Sequence, residues 1–378
     1  MIKCAPKTWW TDRQLSGLFI IAYVLCSGSG IVGVSIGLNA LSTHAACTVW
    51  WAFLATMVVS ATASVRKFHQ IGWLTWAGFI SIFAAVLIVV IAVTTRDRPA
   101  AAPATGEYDL GFYAVAYPSF AAGMVATCTI FVSSAGTSAF LPVISEMKNP
   151  RDFRKALFLC MSLVTAAYLA FSLVVYRWCG QWVASPSLGS AGQVRCLNVL
   201  PQSRYCVCGM MLILKKTVKM VAYGVGLVGL IVSACLYLHV AAKYCFVRVL
   251  RRTRHLQENT ITHWVTWLGL TFGLGALSFV LAMAIPIFQY LIALTGSICF
   301  APLAISLPGW LWIYDHKSWY KGSILQQATF WFHAFLIPLG VFILIGGTYG
   351  VVEEIIQAYA DGTIGKSSQV TSKVDDFG

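Results

Sequence analysis

Nine long apolar stretches separated by short loops constrain this chain more than any other feature. They run Leu15–Leu41, Ala45–Ala63, Trp73–Val93, Phe112–Val143, Ala156–Tyr176, Val218–Ala242, Trp264–Ile285, Ile287–Tyr314 and Ala328–Val351. A hydrocarbon core about 30 Å thick takes roughly 20 helical residues to cross. Backbone polar groups inside it must be paired within the segment, so runs of this length read as transmembrane helices. With 58% hydrophobic and only 10% charged residues, the chain suits lipid and would precipitate as a water-soluble protein. The fold class expected is an all-α polytopic membrane protein with about nine spans.

The net charge of +13 is sorted rather than spread. One alternate set of gaps holds Lys3, Lys7 and Arg13, then Arg66 and Lys67, then Lys148, Arg151, Arg154 and Lys155. The same set continues with Lys243, Arg248, Arg251, Arg252 and Arg254, and ends with Lys317 and Lys321. The opposite set has few: Arg96, Arg98, Arg177, a handful between Arg195 and Lys219, and two in the tail. Cytoplasmic loops carry the Lys and Arg excess, so this bias places the amino terminus in the cytoplasm and, after nine crossings, the carboxyl terminus on the far side. The charge is an orientation signal, and no nucleic-acid partner is expected. The run Arg248 to His255 fits that role, with binding of anionic lipid as the sharper alternative.

Chemistry-bearing residues are scarce. The twelve cysteines show no repeated spacing and read as small apolar core residues. Cys196, Cys206 and Cys208 lack a histidine or fourth cysteine to complete a tetrahedral zinc site. Neither a His-Glu-x-x-His motif nor a buried carboxylate pair is present, so no enzymatic activity, metal or cofactor is expected. His239 lies within the sixth span, where its position one turn before Lys243 suits the membrane interface, and His333 lies near the start of the ninth. No cleavable signal peptide is expected, because the first apolar segment is too long and has no small-residue cleavage site.

Two spans are interrupted by small residues. The fourth carries Phe131-Val-Ser-Ser-Ala-Gly-Thr-Ser-Ala-Phe140 followed by Pro142. Ser, Gly and Thr weaken a helix, and proline removes a backbone bond. The stretch reads either as close helix packing or as a discontinuous helix whose unwound backbone faces a ligand. In the first span, Cys26-Ser-Gly-Ser-Gly30 favours packing. The segment Val194–Lys216 stands apart from its apolar surroundings, with Arg195, Arg204, Lys215, Lys216 and three cysteines. It reads as an ordinary loop insertion or as translation of an unspliced intron, since a valine codon begins GT and a lysine codon can end AG; the transcript separates the two.

Several stretches together resemble the amino acid/auxin permease family, an amino acid transporter transmembrane domain, and within it the fungal neutral amino-acid permeases. The resemblance rests on Ser133-Ser-Ala-Gly-Thr-Ser-Ala-Phe-Leu-Pro-Val-Ile-Ser-Glu-Met-Lys-Asn-Pro-Arg-Asp152 and on Gly33-Val-Ser-Ile-Gly-Leu-Asn-Ala-Leu-Ser-Thr-His44. Further matches are Val183-Ala-Ser-Pro-Ser-Leu-Gly-Ser-Ala-Gly192, Leu236-Tyr-Leu-His-Val-Ala-Ala-Lys-Tyr244 and the stretch from Ala293 to Trp310. Together they span about Leu15 to Ile364. The resemblance implies an eleven-helix fold of the leucine-transporter inverted-repeat type, of which this chain carries helices three to eleven. The domain layout expected is a cytoplasmic segment at 1–14, a transporter domain at 15–352 and a polar tail at 353–378.

The function implied is secondary active transport of neutral amino acids, coupled to a proton or sodium ion, in a plasma or vacuolar membrane. Substrate would sit at the broken sixth family helix, held by Ser133, Ser134, Ala135, Gly136 and Thr137, chiefly through backbone groups. Ser27, Ser29, Ser233 and Tyr237 would line the adjacent wall. The family's first helix, which supplies the other half of such a site, has no counterpart in this chain. The rival reading is therefore a transport-incompetent truncated permease, either a gene-model fragment or a regulatory membrane partner of an intact homologue.

Overall fold

The computed structural model describes residues 9–361 apart from 43–44, 66–67, 97, 104–105, 135–143, 145–146, 148, 192–204, 252, 257 and 286. The described residues form helices joined by turns and loops. These are α1 (Trp9–Leu41), α2 (Thr48–Ala63), α3 (Phe68–Thr94), α4 (Phe120–Ser134), α5 (Phe153–Cys179), α6 (Tyr205–Val249) and α7 (Ile261–Ala284). Then follow α8 (Phe288–Thr295), a π-helical segment Gly296–Ser306, α9 (Leu307–Asp315) and α10 (Ile324–Ala360). Seven stretches are long and apolar enough to cross a membrane, and α2 and α4 are shorter apolar helices. The chain is thus an all-helical polytopic membrane protein. Its bulky apolar side chains point outward as lipid requires: Trp73, Trp76, Ile91, Leu173, Phe335 and Ile345 are all exposed.

Two expected spans differ in extent. The fourth was expected from Phe112, but its helix starts at Phe120. Pro118 biases the residue before it toward extended backbone, and the Ser119 hydroxyl accepts from the Ala122 N–H at 3.2 Å, capping the helix there. The sixth was expected over Val218–Ala242, whereas α6 runs 45 residues from Tyr205 to Val249. The helix therefore takes in the last part of the segment read as an insert, whose residues 194–204 lie outside the described ones. No proline or glycine cap stops it before the basic run that follows.

The chain forms two compact units. One comprises Gly30–Tyr117 and Arg151–Leu236. Its core gathers Ala85, Val89, Val175, Leu188, Ala222 and Tyr223. Small residues let α3 and α6 approach closely: a Cβ on Gly229 would collide with the Ile82 side chain and the Gly78 carbonyl, and one on Gly226 would lie 3.2 Å from Ala85 Cβ. The Ser81 hydroxyl sits in that contact, donating to the Val225 carbonyl at 2.5 Å and accepting from the Gly229 N–H at 3.0 Å. Such hydroxyl links satisfy polar groups where water is absent.

Beyond the end of α5 the same unit is stitched by its loop at 109–113. The Asp109 carbonyl accepts from Gln181 Nε2 at 3.0 Å and Trp182 Nε1 at 2.9 Å, and the Leu110 carbonyl accepts from the Gln181 N–H at 3.0 Å. The Tyr113 phenol donates to Asp109 at 3.1 Å, and that bond, together with the carboxylate's charge, pushes the phenol's pKa up. Nearby, Arg96 Nη2 donates to the Ala191 carbonyl at 2.7 Å. Partial burial lowers the Arg96 pKa from a value so high that the guanidinium stays charged.

The other unit comprises the chain up to Ser29, Pro118–Pro150 and the chain from Tyr237 onward. One core joins α4, α8, the π-helical segment and α10 through Val125, Cys128, Ala293, Ala301, Ile343 and Val351. Another joins the end of α6 to α7 through Ala242, Phe246, Leu250 and Trp267. His239 belongs to this second cluster. It is 0% exposed and lies edge-on to Trp267 at 5.4 Å, so its ring faces protein. The cysteines meet the core expectation in part: Cys26, Cys128, Cys179, Cys235 and Cys299 are free and buried, whereas Cys47 and Cys160 are exposed and Cys245 is half-buried.

Candidate functional site

The small-residue patch of α1 is a packing surface, as its composition suggests. In the unit that ends α1 at Ser29, a Cβ on Gly28 would lie 3.1 Å from the Ser278 carbonyl of α7. The Ser278 hydroxyl returns the contact, donating to the Val24 carbonyl at 3.1 Å. One residue further, in the other unit, a Cβ on Gly30 would lie 2.7 Å from Ala234 Cβ. Within this tight surface Ser27 is 0% exposed, and its hydroxyl has no hydrogen-bond partner among the described residues. Leaving a buried hydroxyl unmatched costs about 1–3 kcal/mol. Serines in helices ordinarily avoid that cost by bonding to their own backbone, as Ser29 does to the Cys26 carbonyl at 2.8 Å.

The remaining expected residues fall in different places. Tyr237 is 37% exposed and meets Tyr23 edge-on at 5.9 Å. Ser233 belongs to the other unit and is exposed. Ser133, in the last turn of α4, is exposed and donates to the Thr129 carbonyl at 2.9 Å. Ser134 is the final residue of α4, and Ala135, Gly136 and Thr137 lie outside the described residues.

What the sequence reading missed is the surface against which α4 ends. The eighth expected span is one apolar run, yet its centre, Gly296–Ser306, is π-helical. Pro302 lies within it and has no N–H for the regular i→i−4 ladder, and a wider turn absorbs the mismatch. A Cβ on Gly296 would lie 2.5 Å from Val132 Cγ2 and 2.8 Å from the Cys128 carbonyl. A Cβ on Gly347 of α10 would lie 2.5 Å from Cys128 Sγ and 2.8 Å from Ser297 Cβ. Three chain segments thus meet at backbone-to-backbone distance one turn before Ser133.

The polar groups in this junction are few and matched. Thr348 Oγ1 donates to Ser297 Oγ at 3.3 Å, and Ser297 Oγ donates to the Leu294 carbonyl at 3.1 Å. Thr295 Oγ1 donates to the Leu291 carbonyl at 2.7 Å. The available signals were Gly296-Ser297 ahead of Pro302 and the Gly346-Gly347 pair in the last span.

Among the described residues no group of three or more His, Cys, Asp or Glu could hold a metal ion.

Comparison with known proteins gives the family. The family model for transmembrane amino acid transporter proteins matches residues 15–353. Two curated relatives, each named a transmembrane transporter, come from Gibberella moniliformis and Fusarium pseudograminearum. They are 47% and 46% identical over 355 residues, covering 94% of this chain and 70% of each relative. An N amino acid transport system protein of Neurospora crassa is 23% identical over 370 aligned positions, covering 94% of this chain and 71% of that relative. No solved structure matches the chain. Since the family model covers nearly the whole length, this chain belongs to the transmembrane amino acid transporter family.

Proposed function

We propose that the protein carries neutral amino acids by ion-coupled secondary transport, with the substrate held at the stretch Ser133–Thr137 that continues from α4. The observation that carries this reading is the junction of α4 with the π-helical segment and Gly347, one turn before Ser133. Backbone that departs from the α-helix inside a membrane is tolerated where protein buries it or a cavity adjoins it, and π-helical turns recur at functional sites. A free amino acid brings a carboxylate and an ammonium group, both of which must exchange water for fixed partners. Backbone N–H groups suit the carboxylate, while carbonyls and hydroxyls such as that of Ser27 suit the ammonium. Transport would proceed by rocking of helices around the site. The driving ion is a proton or sodium, and the membrane the plasma or vacuolar membrane, with the amino terminus in the cytoplasm as the basic loops indicate.

Gly136 is the discriminating position, because a ligand held by backbone leaves no room for a side chain. Gly136→Val is expected to abolish uptake while leaving expression and the oligomeric profile intact, and Gly136→Ala to reduce it at least tenfold. Uptake by Gly136→Val at the wild-type rate removes the proposed site. Imposing a pH gradient or a sodium gradient alone on the same vesicles identifies the coupling ion.

A further inference from the structure

A cluster of stacked rings at the α9–α10 junction lies outside the proposed substrate site. Trp312, near the end of α9, is stacked with His316 at 4.3 Å between ring centres and 11° between planes. The same indole is stacked with His333, in the third turn of α10, at 3.9 Å and 11°. Two imidazoles on one face of the indole, about 3.5 Å above it, would have centres within about 4 Å of each other; side by side they need roughly 5.5 Å. They therefore occupy opposite faces, with the indole between them. Gly309, one turn before Trp312, brings the helices together at this level: a Cβ there would lie 2.9 Å from the carbonyl of His333 itself. Trp319 closes the side, perpendicular to Trp312 at 5.4 Å and to His316 at 4.8 Å.

Both imidazoles are held in a defined tautomer. His316 Nδ1 lies 3.0 Å from the Trp312 carbonyl and His333 Nδ1 lies 2.8 Å from the Thr329 carbonyl. A carbonyl has no proton to give, so each Nδ1 carries the hydrogen and Nε2 is the basic nitrogen. Both residues are partly exposed.

Protonation converts a neutral stack into an imidazolium on an indole face, a stronger contact. The charged and titratable neighbours are few. Asp315 precedes His316 in the chain, Lys317 Nζ lies over the Tyr314 ring at 4.4 Å, and Lys321 Nζ over the Tyr320 ring at 5.1 Å. Within α10, the sequence has no Asp, Glu, Lys or Arg from Ile324 to Val352, and the π-helical segment contributes only the buried Cys299.

We propose that His316, Trp312 and His333 form a proton-responsive clamp that tightens the α9–α10 junction when the adjoining compartment acidifies. Imidazole is the side chain whose charge ordinarily changes between about pH 5 and 8. By the bias of the basic loops, that compartment is the cytoplasm. The clamp stands independently of where substrate binds.

The test uses the full chain in lipid nanodiscs and needs no transport. The Trp312 component of tryptophan fluorescence is taken as the difference between wild type and Trp312→Phe, at pH 8 down to pH 5. A stacked imidazolium quenches indole emission, so this component is expected to fall at least twofold on acidification. The double variant His316→Gln/His333→Gln should show no such fall, and each single variant about half of it. A thermal midpoint that rises several degrees from pH 8 to pH 5.5 in wild type, and not in the double variant, is the accompanying result. A Trp312 component indifferent to pH, or one that responds equally in the double variant, overturns the clamp. Should the double variant fail to fold, the single variants decide by whether each halves the quench.

Discussion

Gly180→Ala is expected to destabilise the unit formed by Gly30–Tyr117 and Arg151–Leu236 by more than about 3 kcal/mol, and to remove most of the monodisperse protein. Gly180 follows α5 with φ +53° and ψ −129°, backbone that side-chain-bearing residues adopt only under strain. A Cβ would also collide with the Leu110 carbonyl, which is held in place by the Gln181 N–H at 3.0 Å. That carbonyl cannot withdraw alone, because the adjoining Asp109 carbonyl takes the Gln181 and Trp182 side chains. Gly106→Ala separates the two causes. Gly106 has φ +89° with open space around it, so that variant carries the conformational cost alone, about 1–2 kcal/mol. Thermal unfolding of the two variants side by side checks the difference. Equal small losses would show that the loop at 109–113 yields.

Gly347→Leu is expected to have the largest effect in the other unit, costing about 3 kcal/mol or more and abolishing uptake. The added carbons would enter the space of Cys128 Sγ and Ser297 Cβ, pushing α10 off both α4 and the π-helical segment. Ser297 has little freedom to retreat, since its hydroxyl is bonded to the Leu294 carbonyl and to Thr348. Gly269→Leu is the matched control. It makes the same change in α7 at an exposed glycine with nothing within 4 Å, where helix propensity favours the larger residue by up to about 1 kcal/mol. Folded yield and thermal midpoint should therefore fall for Gly347→Leu and hold or rise for Gly269→Leu. Parallel behaviour of the two variants would mean that the junction at Cys128 is soft.

Much of this architecture is written locally. Runs of apolar residues mark where the helices lie, because lipid demands internally bonded helices whatever the tertiary fold. The glycines and serines of Cys26–Gly30 announce close packing, and Ser278 and Ala234 supply the partners. Capping residues mark ends: Ser119 begins α4, and Ser323 with Gln326 begins α10 through a reciprocal capping box.

The junction that defines the candidate site was less legible for physical reasons. A π-helical segment differs from an α-helix by one residue per turn and leaves the apolar pattern nearly unchanged, so only Pro302 hints at it. The contacts of Gly296 and Gly347 with Cys128 join positions more than 160 residues apart in sequence, and no spacing rule reaches that far. The Trp312 stack is half legible. His316 falls one turn after Trp312, as the i, i+4 rule for helix faces allows, while His333 arrives from another helix.

Movement of amino acids across a membrane is the activity on which the proposed function stands. The most direct measurement is uptake of radiolabelled neutral amino acids into proteoliposomes made with the purified product of the complete transcript, under imposed proton and sodium gradients. Saturable uptake above protein-free vesicles, driven by one of the two gradients and competed by other neutral amino acids, is the expected result. Background uptake for every amino acid, from protein that remains folded and monodisperse, would contradict it.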